Sequence, residues 1–176
     1  MGHVLELGCG TGTRTQWLLK HADTITALDS SEAMLRQAQE KVNDPRVRWV
    51  LADLFTWEPE KRYDVVFFAF WLSHVPLARF NEFWDSIARW LKPAGRVFLV
   101  DEGQHDHWRE ELVDPAVPLV RRCLEDGSEH RVVKVLWDAK QLEQRLRAIG
   151  WEMAVYSTGA FYWGEGSFDP STASSD

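Results

Sequence analysis

The stretch VLELGCGTG, Val4–Gly12, decides the fold of this 176-residue chain. It opens with an apolar run that is short enough for a buried parallel strand. Three glycines follow at alternate positions, and Thr13–Ala22 is predicted to form a helix. A strand, a glycine-rich turn and a helix N-terminus bring the backbone close to a ligand, because a Cβ atom there would collide with the ligand or forbid the backbone angles. The pattern therefore predicts a ligand site directly after the first strand.

A carboxylate follows at the distance that a ribose-binding site needs. Ile25–Asp29 is predicted to be a second strand that ends in an acid, about twenty residues after Gly8. An acid in that position can bind both hydroxyl groups of a ribose. The alternative is that Asp29 only caps the helix that follows. The order of strand, glycines, helix, strand and acid favours the ribose.

Strands and helices alternate along the rest of the chain. Further strands are predicted at 47–51, 63–70, 96–101, 151–157 and 161–163, and further helices at 30–42, 77–91 and 138–149. This alternation predicts a doubly wound α/β fold with a mostly parallel sheet and right-handed crossovers. The last two strands are predicted to be an antiparallel pair.

Two segments differ in composition from this alternation. Residues 103–137 are predicted to be an insertion that contains a β-hairpin, with strands at 119–124 and 130–136 around the turn Asp126-Gly127. An insertion after the fifth strand lies near the carboxyl ends of the strands, and we interpret it as a substrate lid. Residues 1–164 are predicted to form a single domain, and 165–176, rich in Gly, Ser, Pro and acid, a disordered tail.

The glycine motif resembles motif I of the class I S-adenosylmethionine (SAM)-dependent methyltransferases, whose consensus is close to E-x-G-x-G-x-G. Glu6 supplies the acid, and the segment from Asp29 to Leu35 resembles the post-I motif of the same family. The resemblance implies a seven-stranded sheet of order 3-2-1-4-5-7-6. Such enzymes usually carry one or two cover helices before motif I, whereas this sequence reaches its first strand after three residues. The expectation is a truncated chain, a misplaced start or a naturally open site.

The resemblance implies SAM as the cofactor. The residues expected to bind it are Glu6, Gly8, Cys9, Gly10, Gly12, Asp29, Ser30, Met34, Asp53, Leu54 and Phe70. Asp53 is expected to accept from the adenine amino group, unless it only caps a turn. Met34 is expected to pack on the adenine, unless it is an ordinary core residue.

The loop after the fourth strand is the predicted place of the reaction. His74 is the candidate catalytic base, because it comes just past the strand end; alternatively it only stabilises the turn that follows. Trp71, Asp101 and Glu102 are predicted to contact the substrate, although the two acids could equally cap the segment after them.

The reaction that these features predict is methyl transfer by in-line displacement to an O or N atom of a small-molecule acceptor. The family's N/D-P-P-Y/F motif, typical of methylation of nucleobase or glutamine amide nitrogens, is absent after the fourth strand. Aromatic walls, which the ten tryptophans can supply, favour dispersal of the sulfonium charge.

Composition restricts the partners. The formal net charge is −7 and no basic stripe is visible, which argues against nucleic acid. No apolar run has the length of a membrane span and no signal peptide precedes the first strand, so we expect no membrane partner. The two cysteines lack zinc spacing, and the expected compartment is the cytoplasm. The expected state is a monomer or a homodimer.

Three alternative interpretations can be weighed from the sequence. The short polar run with His105, Asp106, His107 and Glu110 could ligate a metal, but a solvated helix start explains it better, and no metal is predicted. An NAD dehydrogenase would need G-x-x-G after the first G-x-G, which this chain lacks. A catalytically weak or inactive methyltransferase-like binding module, truncated at the N-terminus, is the remaining alternative.

Overall fold

A computed structural model of the chain describes residues 1–103, 112–114, 117–123 and 129–172. The strands of the main sheet are β1 His3–Leu7, β2 Thr24–Asp29, β3 Val47–Leu51, β4 Tyr63–Ala69, β5 Leu91–Glu102, β9 Trp151–Ser157 and β10 Phe161–Phe168; the strands of a smaller sheet are β6 Leu112–Asp114, β7 Val117–Cys123 and β8 Glu129–Val133. The α-helices in the described ranges are α1 Thr13–Leu18, α2 Glu32–Lys41, α3 Phe80–Trp90 and α4 Ala139–Ala148.

The main sheet has the order β3-β2-β1-β4-β5-β10-β9. Counted within this sheet alone, that is 3-2-1-4-5-7-6, so the predicted order and the doubly wound α/β class are confirmed. The first five strands pair in parallel, and β10 pairs antiparallel with both β5 and β9. The chain adds strands on one side of β1 up to β3 and then continues with β4 on its other side. This reversal of the strand order opens a crevice at the carboxyl ends of β1 and β4.

Each face of the sheet carries its own hydrophobic core. The face covered by α3 and α4 is rich in aromatic residues, and its largest fully buried side chains include Trp84, Trp90, Trp151 and Phe83. Apolar residues spaced for one face of α3 form the contact. The opposite face packs α1 and α2 on β1–β3 through smaller residues, among them Val4, Leu18 and Leu35. Two cores hold the strand ends in fixed register, which is what positions the site.

Two of the α-helices begin at residues whose side chains cap them. Ser31 precedes α2, and its hydroxyl accepts from the Met34 amide at 3.4 Å. Asp138 precedes α4, and one of its carboxylate oxygens accepts from the amides of Lys140 and Gln141 at 3.0 and 3.1 Å. Each cap satisfies amide groups that have no partner inside the helix.

The insertion contains the predicted hairpin as part of a three-stranded antiparallel sheet, β6-β7-β8. Strands β7 and β8 pair from Leu119 opposite Val133 to Cys123 opposite Glu129. Strand β6 was not predicted, because three residues are too few to show a period of two. The predicted turn Asp126-Gly127 lies outside the described residues.

Three element boundaries differ from the sequence prediction by four residues or more. Helix α1 ends at Leu18 rather than Ala22, because the chain tightens into turns in which amides bond three residues back. Strand β5 begins at Leu91, with Lys92–Gly95 as a bulge between its two paired parts. Strand β10 continues to Phe168, so the prediction of a disordered tail from residue 165 was wrong for 165–168, whose backbone pairs with β9.

Among the helices in the described ranges, none is long and apolar enough to cross a membrane.

Candidate functional site

A cavity of about 190 Å³ lies at the carboxyl ends of β1 to β4. Its walls come from four loops that follow four neighbouring strands. The lining residues are Gly8, Leu28, Asp29, Ser30, Ala52, Asp53, Leu54, Phe55, Trp71 and His74. Seven of these were predicted as site residues from sequence. Ala52, Leu28 and Phe55 were not; an aromatic residue two positions after the predicted acid Asp53 was the signal that could have identified Phe55.

The glycine turn combines a close contact with an open surface. Gly8 and Gly10 have φ angles of 63° and 54°, in the left-handed region that favours glycine. A Cβ atom on Gly8 would lie 2.8 Å from the Trp71 ring, so Gly8 lets the indole pack on the backbone. A Cβ atom on Gly10 would meet no heavy atom of the described residues within 4 Å. The turn therefore leaves room for a ligand beside Gly10.

Cys9 and Gly12 serve the packing of the turn. The Cys9 amide donates to the Leu28 carbonyl at 3.0 Å, and burial raises the pKa of its thiol well above the usual value. A thiol of this kind is a poor nucleophile. A Cβ atom on Gly12 would lie 3.1 Å from the Cβ of Ala38, so this glycine allows α1 and α2 to approach each other. Neither residue lines the cavity.

Asp29 is held by the backbone on both sides. One oxygen accepts from the Gly10 amide at 2.8 Å and the other from the Ser31 amide at 2.9 Å. The residue that caps α2 with its side chain is Ser31, not Asp29, because the Ser31 hydroxyl accepts the helix amide. Asp29 thus links the glycine turn to the start of α2 while its carboxylate lines the cavity.

The loop after β3 forms the opposite wall. Asp53 accepts from the Phe55 amide at 2.9 Å, and its carbonyl accepts from the Thr56 and Trp57 amides. This is the turn-capping arrangement that the sequence left as an alternative, and it also fixes the Asp53 carboxylate at the cavity. Leu54 is buried and provides an apolar surface beside it.

Glu6 lies beneath the glycine turn rather than in the cavity lining. It is almost fully buried, and Thr15 at the start of α1 donates to its carboxylate at 2.6 Å. Burial raises the pKa of Glu6 from 4.5 to about 7, against the smaller opposing effects of the Thr15 hydrogen bond and the Arg14 charge. The acid therefore connects β1 to α1 and titrates near neutral pH.

Phe70 and Trp71 redirect the chain at the end of β4. Phe70 has a φ angle of 56°, which is rare and costly for an aromatic residue. Its ring contacts Phe161 at 5.9 Å and the Arg14 guanidinium at 5.5 Å, and it does not line the cavity. The turn that this conformation makes directs the Trp71 ring against Gly8. The indole Nε1 of Trp71 is buried and has no hydrogen-bond partner among the described residues.

His74 follows on a short 3₁₀ turn, Leu72–His74. Its Nδ1 lies 2.8 Å from the carbonyl oxygen of Val133, the last residue of β8. A carbonyl can only accept, so Nδ1 carries the proton and donates it. In the neutral ring the lone pair therefore lies on Nε2, which is the form that a general base needs.

Asp101 does not reach the cavity. Its side chain is 0% exposed and accepts from the amides of Ser73 and Glu102 at 2.9 and 2.8 Å. Burial raises the pKa of Asp101, against the opposing effects of these hydrogen bonds and of the nearby Lys134 charge. The substrate contact of Asp101 stays a prediction; in this structure the acid is enclosed and accepts from the turn that carries His74.

Glu102 and Met34 also lie outside the cavity lining. Glu102 forms a 2.6 Å ion pair with Lys134, a residue that the sequence analysis did not single out. Met34 is 37% exposed on α2 and belongs to neither hydrophobic core. Both were predicted to contact a ligand, and neither does so through the walls of this cavity.

No group of three His, Cys, Asp or Glu side chains in the described ranges is arranged to hold a metal ion. The run that raised the metal question, His105 to Glu110, lies outside the described residues.

The sheet order and the crevice at its carboxyl edge are those of the class I SAM-dependent methyltransferases. The family model described as "Methyltransferase domain" matches residues 4–95, and the chain belongs to this family. Two solved structures, described as the DhpI-SAH complex and the DhpI-SAM-HEP complex, are each 38% identical with a TM-score of 0.84. The matches extend over 96% and 94% of this chain, respectively, and over 78% of the chain in each of the two solved structures.

Curated relatives match a smaller part. A malonyl-[acyl-carrier protein] O-methyltransferase of Priestia megaterium is 36% identical over 101 residues, which are 54% of this chain and 35% of that protein. A trans-aconitate 2-methyltransferase of Escherichia coli O1:K1 is 34% identical over 110 residues, 61% of this chain and 41% of that protein. The matched part of the chain thus spans about two fifths of these relatives' length or less.

Proposed function

We propose that this chain uses SAM to methylate an oxygen or nitrogen atom of a small-molecule acceptor, with His74 as the general base. The observation that carries the proposal is the cavity itself, which joins a glycine turn, a backbone-held carboxylate and a histidine at the carboxyl ends of parallel strands. In an open α/β sheet this is where ligands bind.

The residues present fit an adenosyl cofactor. Asp29 is oriented for the ribose hydroxyl groups by two amides of the backbone. Asp53 and the apolar Leu54 and Phe55 suit an adenine ring and its amino group. The buried Trp71 Nε1 lacks a partner in the described structure, as expected for a donor that faces a polar ligand atom.

The cavity has room for only a part of the cofactor. A volume of about 190 Å³ is below the roughly 300–1,000 Å³ usual for ligand pockets, so it suits only the adenosine part. The remainder would extend past Gly10, where a Cβ atom would meet no described neighbour. We expect Glu6, beneath the turn, to add negative charge on the side of the amino-acid part.

When bound, SAM would supply a methyl group on a sulfonium sulfur: the acceptor atom would bond to the methyl carbon as the carbon–sulfur bond breaks in line with it, and S-adenosylhomocysteine would leave as a neutral thioether. His74 would take the acceptor's proton at Nε2. Its Nδ1–H would continue to donate a hydrogen bond to the Val133 carbonyl. Trp71 excludes water from one side. The insertion strands β6 to β8 act as the lid, because β8 ends at Val133, whose carbonyl contacts His74.

Oxygen is the acceptor atom to test first. One curated relative is named an O-methyltransferase and another acts on trans-aconitate. A hydroxyl acceptor must lose its proton to a base, and a neutral histidine can take that proton at physiological pH, whereas a carboxyl acceptor is already ionised there and needs no base.

The experiment has two stages. Isothermal titration of the purified chain with SAM, S-adenosylhomocysteine and NAD tests the cofactor: we expect binding of the first two only. A methyl-transfer assay with small hydroxyl-bearing acceptors, whose proton a base must take, then compares His74→Asn with the exposed control His21→Asn. We expect His74→Asn to lower kcat by about 10²- to 10⁴-fold, the usual contribution of a general base, and the control to be unaffected. SAM binding without any methyl transfer would instead favour the binding module.

A further inference from the structure

A buried lysine lies where the insertion returns to the main sheet. Lys134 directly follows β8 and is 4% exposed. Its ammonium group lies 2.6 Å from the Glu102 carboxylate and 3.1 Å from the Ser73 hydroxyl. A lysine is almost never buried without a charged partner, and its desolvation must be offset by such contacts. Strand β5 supplies the first of these contacts and the 3₁₀ turn Leu72–His74 the second.

The flanking residues bind the same turn through their backbone. The Val135 amide donates to the Ser73 carbonyl at 2.7 Å, and the Val133 carbonyl accepts from His74 Nδ1 at 2.8 Å. Residues 133–135 therefore contact the 3₁₀ turn at three consecutive positions. Asp101 fixes the same turn from the other side through the Ser73 amide.

We propose that Lys134 is a positioning residue for His74. Its ion pair anchors residues 133–135 to the end of β5, and this anchor keeps the Val133 carbonyl in place to select the Nδ1-protonated form of the imidazole. The inference rests on the proposed role of His74 as a base. It adds that the insertion, besides covering an acceptor, sets which imidazole nitrogen of His74 carries the proton.

The geometry explains why a lysine suits this place. Its flexible stem reaches from the insertion to Glu102, and its ammonium is a donor that contacts both Glu102 and Ser73. The charge also lies near Asp101 and partly opposes the rise in the pKa of this acid that burial causes. One cation thus stabilises both carboxylates that face it from β5.

The test measures the tautomer of His74 directly, so it needs no methyl acceptor. Long-range ¹H–¹⁵N NMR of the imidazole groups in the full chain, assigned with His74→Asn, distinguishes Nδ1–H from Nε2–H. Lys134→Met keeps the stem and removes the charge, Lys134→Arg restores a cation, and Lys140→Met is the control at an exposed lysine of α4.

We expect Lys134→Met to lower the ratio of the Nδ1–H to the Nε2–H form by about two- to tenfold, the population change that follows from weakening one neutral hydrogen bond. Lys134→Arg should recover most of the ratio, and Lys140→Met should leave it unchanged. An unchanged ratio in Lys134→Met overturns the proposal.

Two further measurements keep the test decisive. If Lys134→Met does not fold, Glu102→Gln, which weakens the same ion pair at a partly exposed carboxylate, must shift the ratio in the same direction or the proposal fails. Titration with SAM should give the same Kd for Lys134→Met and the wild type, because Lys134 does not line the cavity. Loss of SAM binding in the wild type would refute the proposed function instead, and the tautomer ratio would still decide the role of Lys134.

Discussion

Replacing Glu6 with glutamine is expected to remove a pH-dependent loss of stability. Glu6 is almost fully buried beneath the glycine turn, and its only hydrogen bond among the described contacts comes from the Thr15 hydroxyl. Glutamine keeps the size of the side chain and an oxygen that accepts from Thr15. The substitution therefore removes the charge and little else.

The size of the effect follows from the pKa shift. Burial raises the pKa of Glu6 from 4.5 to about 7 in the folded chain. The native state thus holds the proton more tightly than the unfolded state, so the contribution of Glu6 to stability is complete below pH 4.5 and is lost as the pH rises through 7. At 1.36 kcal/mol per pH unit, the loss between pH 5 and pH 8 amounts to about 2.5 kcal/mol.

Urea unfolding without ligand at pH 5 and pH 8 measures this difference. The wild type should lose about 2.5 kcal/mol more of its free energy of unfolding over that interval than Glu6→Gln does. Other buried acids such as Asp101 are present in both proteins and cancel. Glu40→Gln, at an exposed position of α2, serves as the matched control and should behave as the wild type. Equal pH dependence of wild type and Glu6→Gln would show that Glu6 is ionised in the native state and would refute the reasoning.

The remaining predictions concern the cofactor. Gly10→Val should abolish SAM binding by calorimetry, because the added side chain meets the ligand rather than the protein; its positive φ strains the turn, so circular dichroism should show a folded chain with a lowered melting temperature; unchanged affinity would remove the glycine turn from the site. Asp29→Ala should weaken SAM binding by about 1–3 kcal/mol, the cost of a lost charge-assisted hydrogen bond, with Asp29→Asn intermediate. An Asp29→Ala protein that binds SAM as the wild type does would leave Asp29 a purely structural role in linking the turn to α2.

The strand ends of the fold were predictable from local sequence. Each of β1 to β4 is a short apolar run, and each is followed by the residue types that a ligand site requires, such as Gly8, Asp29 and Asp53. Parallel strands share their carboxyl ends, so the order of strands was enough to bring these residues together. The cavity lining agrees with that expectation for these three residues.

The details that depend on distant contacts were not predictable. A lysine between Val133 and Val135 signals a buried or half-buried cation, but nothing local shows that its partner is Glu102, thirty-two residues earlier. Asp101 comes at the end of a strand, a position typical of a substrate contact. That it is enclosed becomes visible in the structure, where the turn with Ser73 packs on it. Burial of a polar residue is set by what packs on it, and this information is spread over the chain.

The contact between Trp71 and Gly8 gives the protein an internal optical reporter. An indole that forms one wall of the crevice, with its Nε1 still without a protein partner in the described structure, changes its surroundings when the crevice fills. Four other tryptophans, Trp84, Trp90, Trp137 and Trp151, are buried in the hydrophobic core and contribute a constant background of emission. The difference between the wild type and Trp71→Phe isolates the signal of the crevice, so occupancy can be followed by fluorescence without a label.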